Sequence, residues 1–313
     1  MIHALVLADI EGAVGFWNFT EDVEVNKDLY TKETQVCIDA LLANGVTKIT
    51  VCDTHAEGGM ILPKVATKDV ELISSLRDMS FDDNKYDFAI MTGFHGMYGS
   101  PGIFPHTMRP DYFKHLYIKD TRVGEVELCC RWLGFYGIPV ILVTGDREAV
   151  YEANLFNPYR MTCCVKSLHQ SGVFEPQILY QKLEVSIKSA MLLNWKECIS
   201  YDNDEVGIEF QNHRILDFLV SVGYSAKDER LFFKNCDDLM KNVYPMLYKI
   251  HDLNNKLRAD YSFMKEVRRL ASTLSKEEVK NSDIIALLNK DLSDLDELSR
   301  NEILRALTDM QPS

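Results

Sequence analysis

Two histidines and three carboxylates within the first 125 residues have the types and spacing that metal chemistry requires. They are Asp9 and Glu11 in LVLADIEG, His55 closing ITVCDTH, His95 closing FAIMTGFH, and Glu125 in DTRVGEVEL. Each stands where a predicted strand gives way to a loop or helix, and the C-terminal edge of an open α/β sheet is where such folds keep their chemistry. Asp9 and Glu11 are two residues apart at a strand end, so their side chains point to the same side. Carboxylates placed together in that way repel one another unless a cation or a proton lies between them. Gly12 follows directly and allows a sharp exit with close backbone approach. Five donors exceed the ligand set of one tetrahedral zinc. The pattern therefore points to a two-metal hydrolase.

Taken singly, each of these residues has a plainer reading. Asp9 and Glu11 could be solvent-facing loop residues, and a lone histidine after a strand is more often hydrogen-bonded within the structure than bound to metal. Their coincidence at four separate strand ends, with donor types suited to zinc, manganese or cobalt, favours the metal site. Asp53, two residues before His55, is placed to orient that histidine as a supporting partner. His106 lies in the Gly/Pro-punctuated stretch GSPGIFPHTM, which cannot be regular structure and brings another imidazole near His95. A loop histidine of near-neutral pKa can shuttle protons or stabilise a tetrahedral intermediate. It can equally be a surface residue.

The elements that must position these groups are legible as short apolar, β-branched runs. Strands are predicted at Ile2–Ala8, Lys48–Cys52, Phe88–Thr92, Phe113–Ile118, Pro139–Thr144 and Met161–Val165. Amphipathic stretches such as Lys32–Ala43 and Glu125–Tyr136 lie between several of them. Near-continuous apolar strands separated by helices predict an α/β fold, a mainly parallel sheet flanked by helices on both faces. One more helix is expected over residues 176–195. Val206–Phe210 and Leu231–Phe233 then read as strands and Asp237–Lys249 as a helix, a smaller α+β lobe. From about His251 there are no β-branched runs and no glycine, and Ser275–Glu278 and Ser299–Glu302 match helix-starting capping boxes. The expected organisation is a metal-binding catalytic domain over 1–195, a small α+β lobe over 196–250, and an all-helical C-terminal extension over 251–313.

Composition narrows the partners. The chain has 313 residues, 46% hydrophobic and 26% charged, and carries a net charge of −13 from 34 basic and 47 acidic side chains. That balance argues against a nucleic-acid or anionic-membrane partner, since both need a basic footprint. The apolar stretches are too short to span a bilayer. MIHALVLADIEG lacks the basic start and small-residue cleavage site of a secretory signal and reads as a buried first strand. Eight cysteines without a C-x-x-C spacing suggest free thiols and a cytoplasmic protein. The acid-rich run Asp291–Asp296 lacks the spacing of an EF-hand loop.

In order and spacing, Asp9-Ile-Glu11-Gly12, Asp53-Thr-His55, Gly93-Phe-His95, Pro105-His106-Thr-Met108 and Val123-Gly124-Glu125 resemble the binuclear zinc D-aminopeptidases of the dipeptide-transport type. The likeness continues through Pro139–Asp146 and Val165-Lys166 and covers roughly residues 1–250. The resemblance implies that Asp9, Glu11, His55, His95 and Glu125 hold two divalent metal ions per subunit, most naturally Zn2+, with Asp9 shared. It implies a catalytic role for His106. It implies release of amino-terminal D-residues from short peptides, in a homo-oligomer assembled as a decamer of stacked rings.

Three departures bear on specificity rather than on the metal set. Leu7 stands where the family has a serine. Glu127 and Cys129 stand where a small residue and an asparagine are familiar, and His169-Gln170 replaces an expected arginine. Glu127 is a candidate partner for the free amino group of the substrate. Two other readings keep the same fold: a tailoring or biosynthetic amidase acting on an amide other than a dipeptide, and a non-catalytic ring-forming scaffold that binds a partner through its helical tail.

Overall fold

A computed structural model describes residues 1–17, 23–81, 86–167 and 175–273. By internal packing the chain divides into two units, Met1–Tyr244 and Pro245–Ser313. The first holds two sheets.

The larger sheet has six parallel strands: β1 (His3–Ala8), β2 (Lys48–Asp53), β3 (Val70–Ile73), β4 (Phe88–Phe94), β7 (Val140–Asp146) and β8 (Met161–Lys166). Their order is β3-β2-β1-β4-β7-β8. From β1 the chain winds outward through β2 and β3, then returns to β4 on the other side. The switch point between β1 and β4 leaves a crevice at the C-terminal edge, the position favoured for ligands in open α/β sheets.

Alternation along β1 shows why both faces are covered. Ala4, Val6 and Ala8 pack into one core with Tyr30, Cys37 and Leu41 of α1 (Val23–Ala43) and with Leu183 and Ile187 of α4 (Pro176–Ala190). Leu5 and Leu7 turn to the opposite core, with Val126 and Leu133 of α2 (Glu125–Phe135) and Ala149 and Ala153 of α3 (Arg147–Phe156). Period-two strands buried on both sides become nearly continuous apolar runs, and each large apolar side chain removed from water contributes about 1.5–3 kcal/mol. Local chemistry sets the helix starts. Asp146 caps α3 by accepting from Ala149 N at 2.8 Å, and Pro176 opens α4.

The second sheet is antiparallel and five-stranded, ordered β10-β11-β9-β5-β6. It comprises β5 (Phe113–Ile118), β6 (Thr121–Val123), β9 (Val206–Phe210), β10 (Ala226–Lys227) and β11 (Arg230–Phe233). The expected α/β architecture with a mainly parallel sheet is therefore present. One strand differs in its partners: Phe113–Ile118 pairs with β6 and β9, not with the parallel sheet. An apolar run defines a strand but not its neighbours, which depend on residues some ninety positions away.

Helices α5 (His213–Ser221) and α6 (Cys236–Thr273) complete the described elements. The helix expected over Asp237–Lys249 extends to Thr273 and contains Pro245. The capping boxes at Ser275 and Ser299, the run Asp291–Asp296 and the pair His169-Gln170 lie outside the described residues. No described helix is long and apolar enough to cross a membrane.

Candidate metal centre

Four strand or helix termini meet at the β1–β4 crevice. Asp9 and Glu11 leave the end of β1, His55 follows β2, and His95 follows β4. Glu125 comes from elsewhere. It is the first residue of α2 and is delivered by the β5–β6 ribbon of the antiparallel sheet.

The β1 and β4 ends are drawn unusually close. Asp9 N donates to Thr92 O at 2.9 Å and Gly12 N to Gly93 O at 2.8 Å. A Cβ on Gly12 would run into the Phe94 carbonyl, and one on Gly93, whose φ is +73°, would run into the Asp9 carbonyl. Only glycine permits that approach. The β1 and β2 ends are joined by Tyr30, whose hydroxyl meets the Ala8 carbonyl and lies 3.1 Å from Asp53 Oδ1.

Within the crevice Asp9 faces both histidines. Its Oδ1 lies 3.6 Å from His55 Nδ1, and its Oδ2 lies 3.5 Å from His95 Nε2. Glu11 stands 3.1 Å from His55 Nδ1, and Glu125 Oε1 stands 3.3 Å from His95 Nε2. His106 Nε2 is 3.7 Å from Glu11 Oε1, and its ring stacks on His95 with centroids 4.0 Å apart. Three sets of potential ligand atoms result: Asp9–Glu11–His55, Asp9–His95–Glu125 and Glu11–His95–His106.

Two ring orientations follow from hydrogen bonding. His95 Nδ1 lies 3.0 Å from the Gly96 carbonyl and His106 Nδ1 lies 2.9 Å from the Phe104 carbonyl. A carbonyl only accepts, so Nδ1 carries the hydrogen in both rings and Nε2 is turned to the crevice. Glu125 Oε1 is further held by Met108 N at 2.6 Å.

The electrostatics of the cluster call for a cation. Asp9, Glu11 and His95 are buried, and among the described residues no lysine or arginine forms a salt bridge with the carboxylate of Asp9, Glu11 or Glu125. Burial, reinforced by the Glu11 charge, pushes the Asp9 carboxyl up to about 8. For Glu11, burial pushes upward, but hydrogen bonding and charge from His55 outweigh it and hold the carboxyl well below its usual value. Burial opposes protonation of His55, yet Asp9 and Glu11 raise it to about 10. Burial likewise opposes protonation of His95, and the Glu125 carboxylate overrides it. Burial would raise Glu125, but His95 holds it low. Without another positive charge the histidines must supply it as protons.

Divalent ions fit this donor set. Donors about 2.0–2.2 Å from a common tetrahedral ion stand roughly 3.3–3.6 Å from each other. The separations of Asp9 from His55 and His95 and of Glu125 from His95, 3.6, 3.5 and 3.3 Å, match that edge length, and Glu11 lies slightly closer to His55 at 3.1 Å. The mixture of imidazole and carboxylate suits zinc or its first-row neighbours.

Two further residues singled out by sequence occupy different surroundings. Asp53 acts on the backbone around His55. Its oxygens accept from the backbone N–H groups of His55, Met60 and Ile61, at 3.1, 2.6 and 3.0 Å, so it shapes the loop that carries the histidine. Glu127 is buried and pairs with Arg131 Nε at 2.7 Å. It is absent from the three ligand sets because two residues on a helix are about 200° apart around the axis, turning it away from Glu125.

Lys166, at the end of β8, had no chemical signal of its own. It is buried, donates to the Glu11 backbone carbonyl at 2.5 Å, and sits 5.1, 5.1 and 5.4 Å from the ring centroids of Phe16, Trp17 and Phe104. Burial lowers its pKa to about 8. These contacts span more than sixty residues of sequence, and no local pattern announces them.

Comparison with known proteins gives three matches. The Peptidase M55 family model, described as D-aminopeptidase, matches residues 2–242. A D-aminopeptidase of Bacillus subtilis (strain 168) is 29% identical over 168 residues, covering 50% of this chain and 61% of the relative. The matched stretch thus spans less than two thirds of that relative's length. A solved structure, described as the Zn-dependent D-aminopeptidase DppA from Bacillus subtilis, a self-compartmentalizing protease, superposes with a TM-score of 0.70. It is 24% identical and covers 78% of this chain and 97% of its own.

Proposed function

The chain belongs to the D-aminopeptidase family, and from that premise we propose that it is a metal-dependent aminopeptidase that releases amino-terminal D-residues from short peptides. The observation that carries the reading is the placing of Asp9, one oxygen towards His55 and the other towards His95, with a second carboxylate beside each ring. Asp9, Glu11 and His55 would hold one ion, and Asp9, His95 and Glu125 the other. Zinc is the natural choice, in line with the Zn-dependent structural relative.

A bound divalent pair supplies Lewis acidity, polarising the scissile carbonyl and lowering the pKa of water. The remaining work falls to the chain's own side chains. The Phe104 carbonyl fixes the His106 tautomer and leaves Nε2 facing the crevice. In that orientation His106 can accept a proton at Nε2 and pass it to the leaving amine, or donate to the developing oxyanion. His55, His106 and Glu125 keep 16%, 16% and 21% of their side-chain surface exposed, whereas Asp9 and Glu11 keep 6% and 4%. Substrate would approach from the exposed side.

By analogy with the self-compartmentalizing relative, the chain would act as a homo-oligomer, a decamer of stacked rings, on peptides small enough to enter it. All eight cysteines are free, which suits a reducing cytoplasm.

The test is metal content per chain, combined with hydrolysis of D-Ala-D-Ala, L-Ala-L-Ala and N-acylated D-Ala-D-Ala before and after chelation. Chelator-sensitive cleavage of the free D-peptide, restored by zinc, is expected. Preference for the blocked peptide would replace the aminopeptidase with an amidase. Failure to bind metal would remove the catalytic reading.

A further inference from the structure

Glu152 is a buried carboxylate that the chemistry above leaves without a role. It lies on α3, is 1% exposed, and reaches across to the start of α2. Its Oε1 accepts from Gly124 N at 2.8 Å and from Glu127 N at 3.0 Å. Glu127 N is the donor that an N-cap side chain ordinarily serves, and Gly124 N is the one that a capping box satisfies from the third helical position. Here the N-cap is Gly124, which has no side chain to offer.

The substitution of one helix's side chain for another's cap is built into the packing. A Cβ at position 124 would stand 2.5 Å from Glu152 Oε2 and 3.0 Å from Met97 Cβ. A serine or aspartate cap is therefore excluded at 124, and the space belongs to Glu152. The arrangement is also electrostatically costly. Glu125 and Glu127 already occupy the first turn, and Glu152 adds a third carboxylate whose Oε2 has no hydrogen-bond partner. Glu127 is neutralised by Arg131, but no cation pairs with Glu152 among the described residues. A buried, half-satisfied carboxylate that spans two helices marks a place where position matters more than stability.

Between those two capped N–H groups lie Glu125 and Val126. We propose that Glu152 is a positioning residue for the metal centre: by capping α2 from α3 it fixes the first turn and so aims the Glu125 carboxylate at His95. The inference rests on the reading of Glu125 as a metal ligand. Metal sites tolerate only about 0.5 Å or 10–20° of error in a ligand. A loosened first turn exceeds that without unfolding the helix, whose apolar face stays buried.

The experiment compares Glu152→Met, Glu152→Gln, Gly124→Ala and Glu125→Ala by zinc titration of the full chain, with amide hydrogen exchange over residues 124–127 and thermal unfolding after chelation. Glu152→Met is expected to weaken zinc binding at the site of Asp9, His95 and Glu125 by about 10–100-fold, with faster exchange at 124–127. Glu152→Gln keeps an acceptor oxygen and is expected to recover most of the affinity. Gly124→Ala displaces the carboxylate and should reproduce the Met phenotype, which keeps the test open if Glu152→Met does not fold. Wild-type zinc binding in both Glu152→Met and Gly124→Ala, with zinc lost in Glu125→Ala, would overturn the role of Glu152 alone. Unchanged zinc binding in Glu125→Ala would overturn the ligand reading and this inference with it. A loss common to Met and Gln, matched by the drop in unfolding temperature of the chelated proteins, would reduce Glu152 to a structural residue.

Discussion

The imidazoles of His95 and His106 lie face to face, 4.0 Å between centroids and 7° from parallel. One ring is buried and directed at Asp9 and Glu125. The other is partly exposed and directed at Glu11. On the proposed reading, the stack would set a ring that holds metal, His95, against a ring that moves protons, His106, each through Nε2.

That division predicts the behaviour of His106→Ala. Metal content should stay at the wild-type level, KM should change little, and kcat should fall by about 10²–10⁴, the usual contribution of a positioned acid–base group. Kinetics on D-Ala-D-Ala with parallel metal analysis checks this. Loss of metal together with activity would make His106 a ligand, as its reach to Glu11 and His95 permits.

Asp9 is the residue common to the Asp9–Glu11–His55 and Asp9–His95–Glu125 ligand sets. Asp9→Ala should therefore remove more metal than His55→Ala, which touches one set. Chelation of the wild type should also lower its melting temperature. A ligand present at 100 times its dissociation constant stabilises the folded state by about 2.7 kcal/mol, and calorimetry with and without chelator measures the difference. Equal metal loss in the two variants would argue against a shared Asp9.

Gly12 and Gly93 allow the β1 and β4 ends to touch, with the Phe94 and Asp9 carbonyls where side chains would go. Alanine at either position must push backbone against backbone. The expected cost is at least about 4 kcal/mol, at the severe end for single substitutions, and the readout is denaturant unfolding of each variant. Wild-type stability in Gly93→Ala would show that the two strand ends can separate.

Thiol chemistry offers a check on the cores flanking the parallel sheet. Burial pushes Cys37, Cys52, Cys129, Cys130, Cys163, Cys198 and Cys236 above the ordinary thiol range. A raised thiol pKa favours the unreactive neutral form, so these residues should resist iodoacetamide even as pH rises past about 8.5, where an unperturbed thiol ionises. Cys164 is the half-buried exception. Mass spectrometry of the native protein at pH 7 and 9 should find labelling concentrated there. Rapid labelling of Cys37 or Cys163 would contradict the packing of α1 and α4 on the sheet.

Much of this arrangement was legible in the residues themselves. Asp9, Glu11, His55 and His95 each follow an apolar run that reads as a buried parallel strand, and parallel strands place their ends on one edge. Covalent continuity and strand periodicity are enough to bring those four groups together. The expected strands β1, β2, β4, β7 and β8 agree with the structure to within about two residues at each end, since their apolar runs carry the signal.

The rest was decided by tertiary contact. Glu125 enters from an antiparallel ribbon whose first strand, β5, pairs with β9, about ninety residues later. Asp53 holds the backbone around His55, and Glu127 turns inward to Arg131, because the loop and helix geometry at each point settles direction after the sequence has supplied the residue type. Glu152 and Lys166 touch the centre through main-chain atoms distant in sequence, Gly124 and Glu127 for one and Glu11 for the other. A backbone N–H or carbonyl is the same chemical group in every residue, so no residue type marks such a contact; only packing makes it specific.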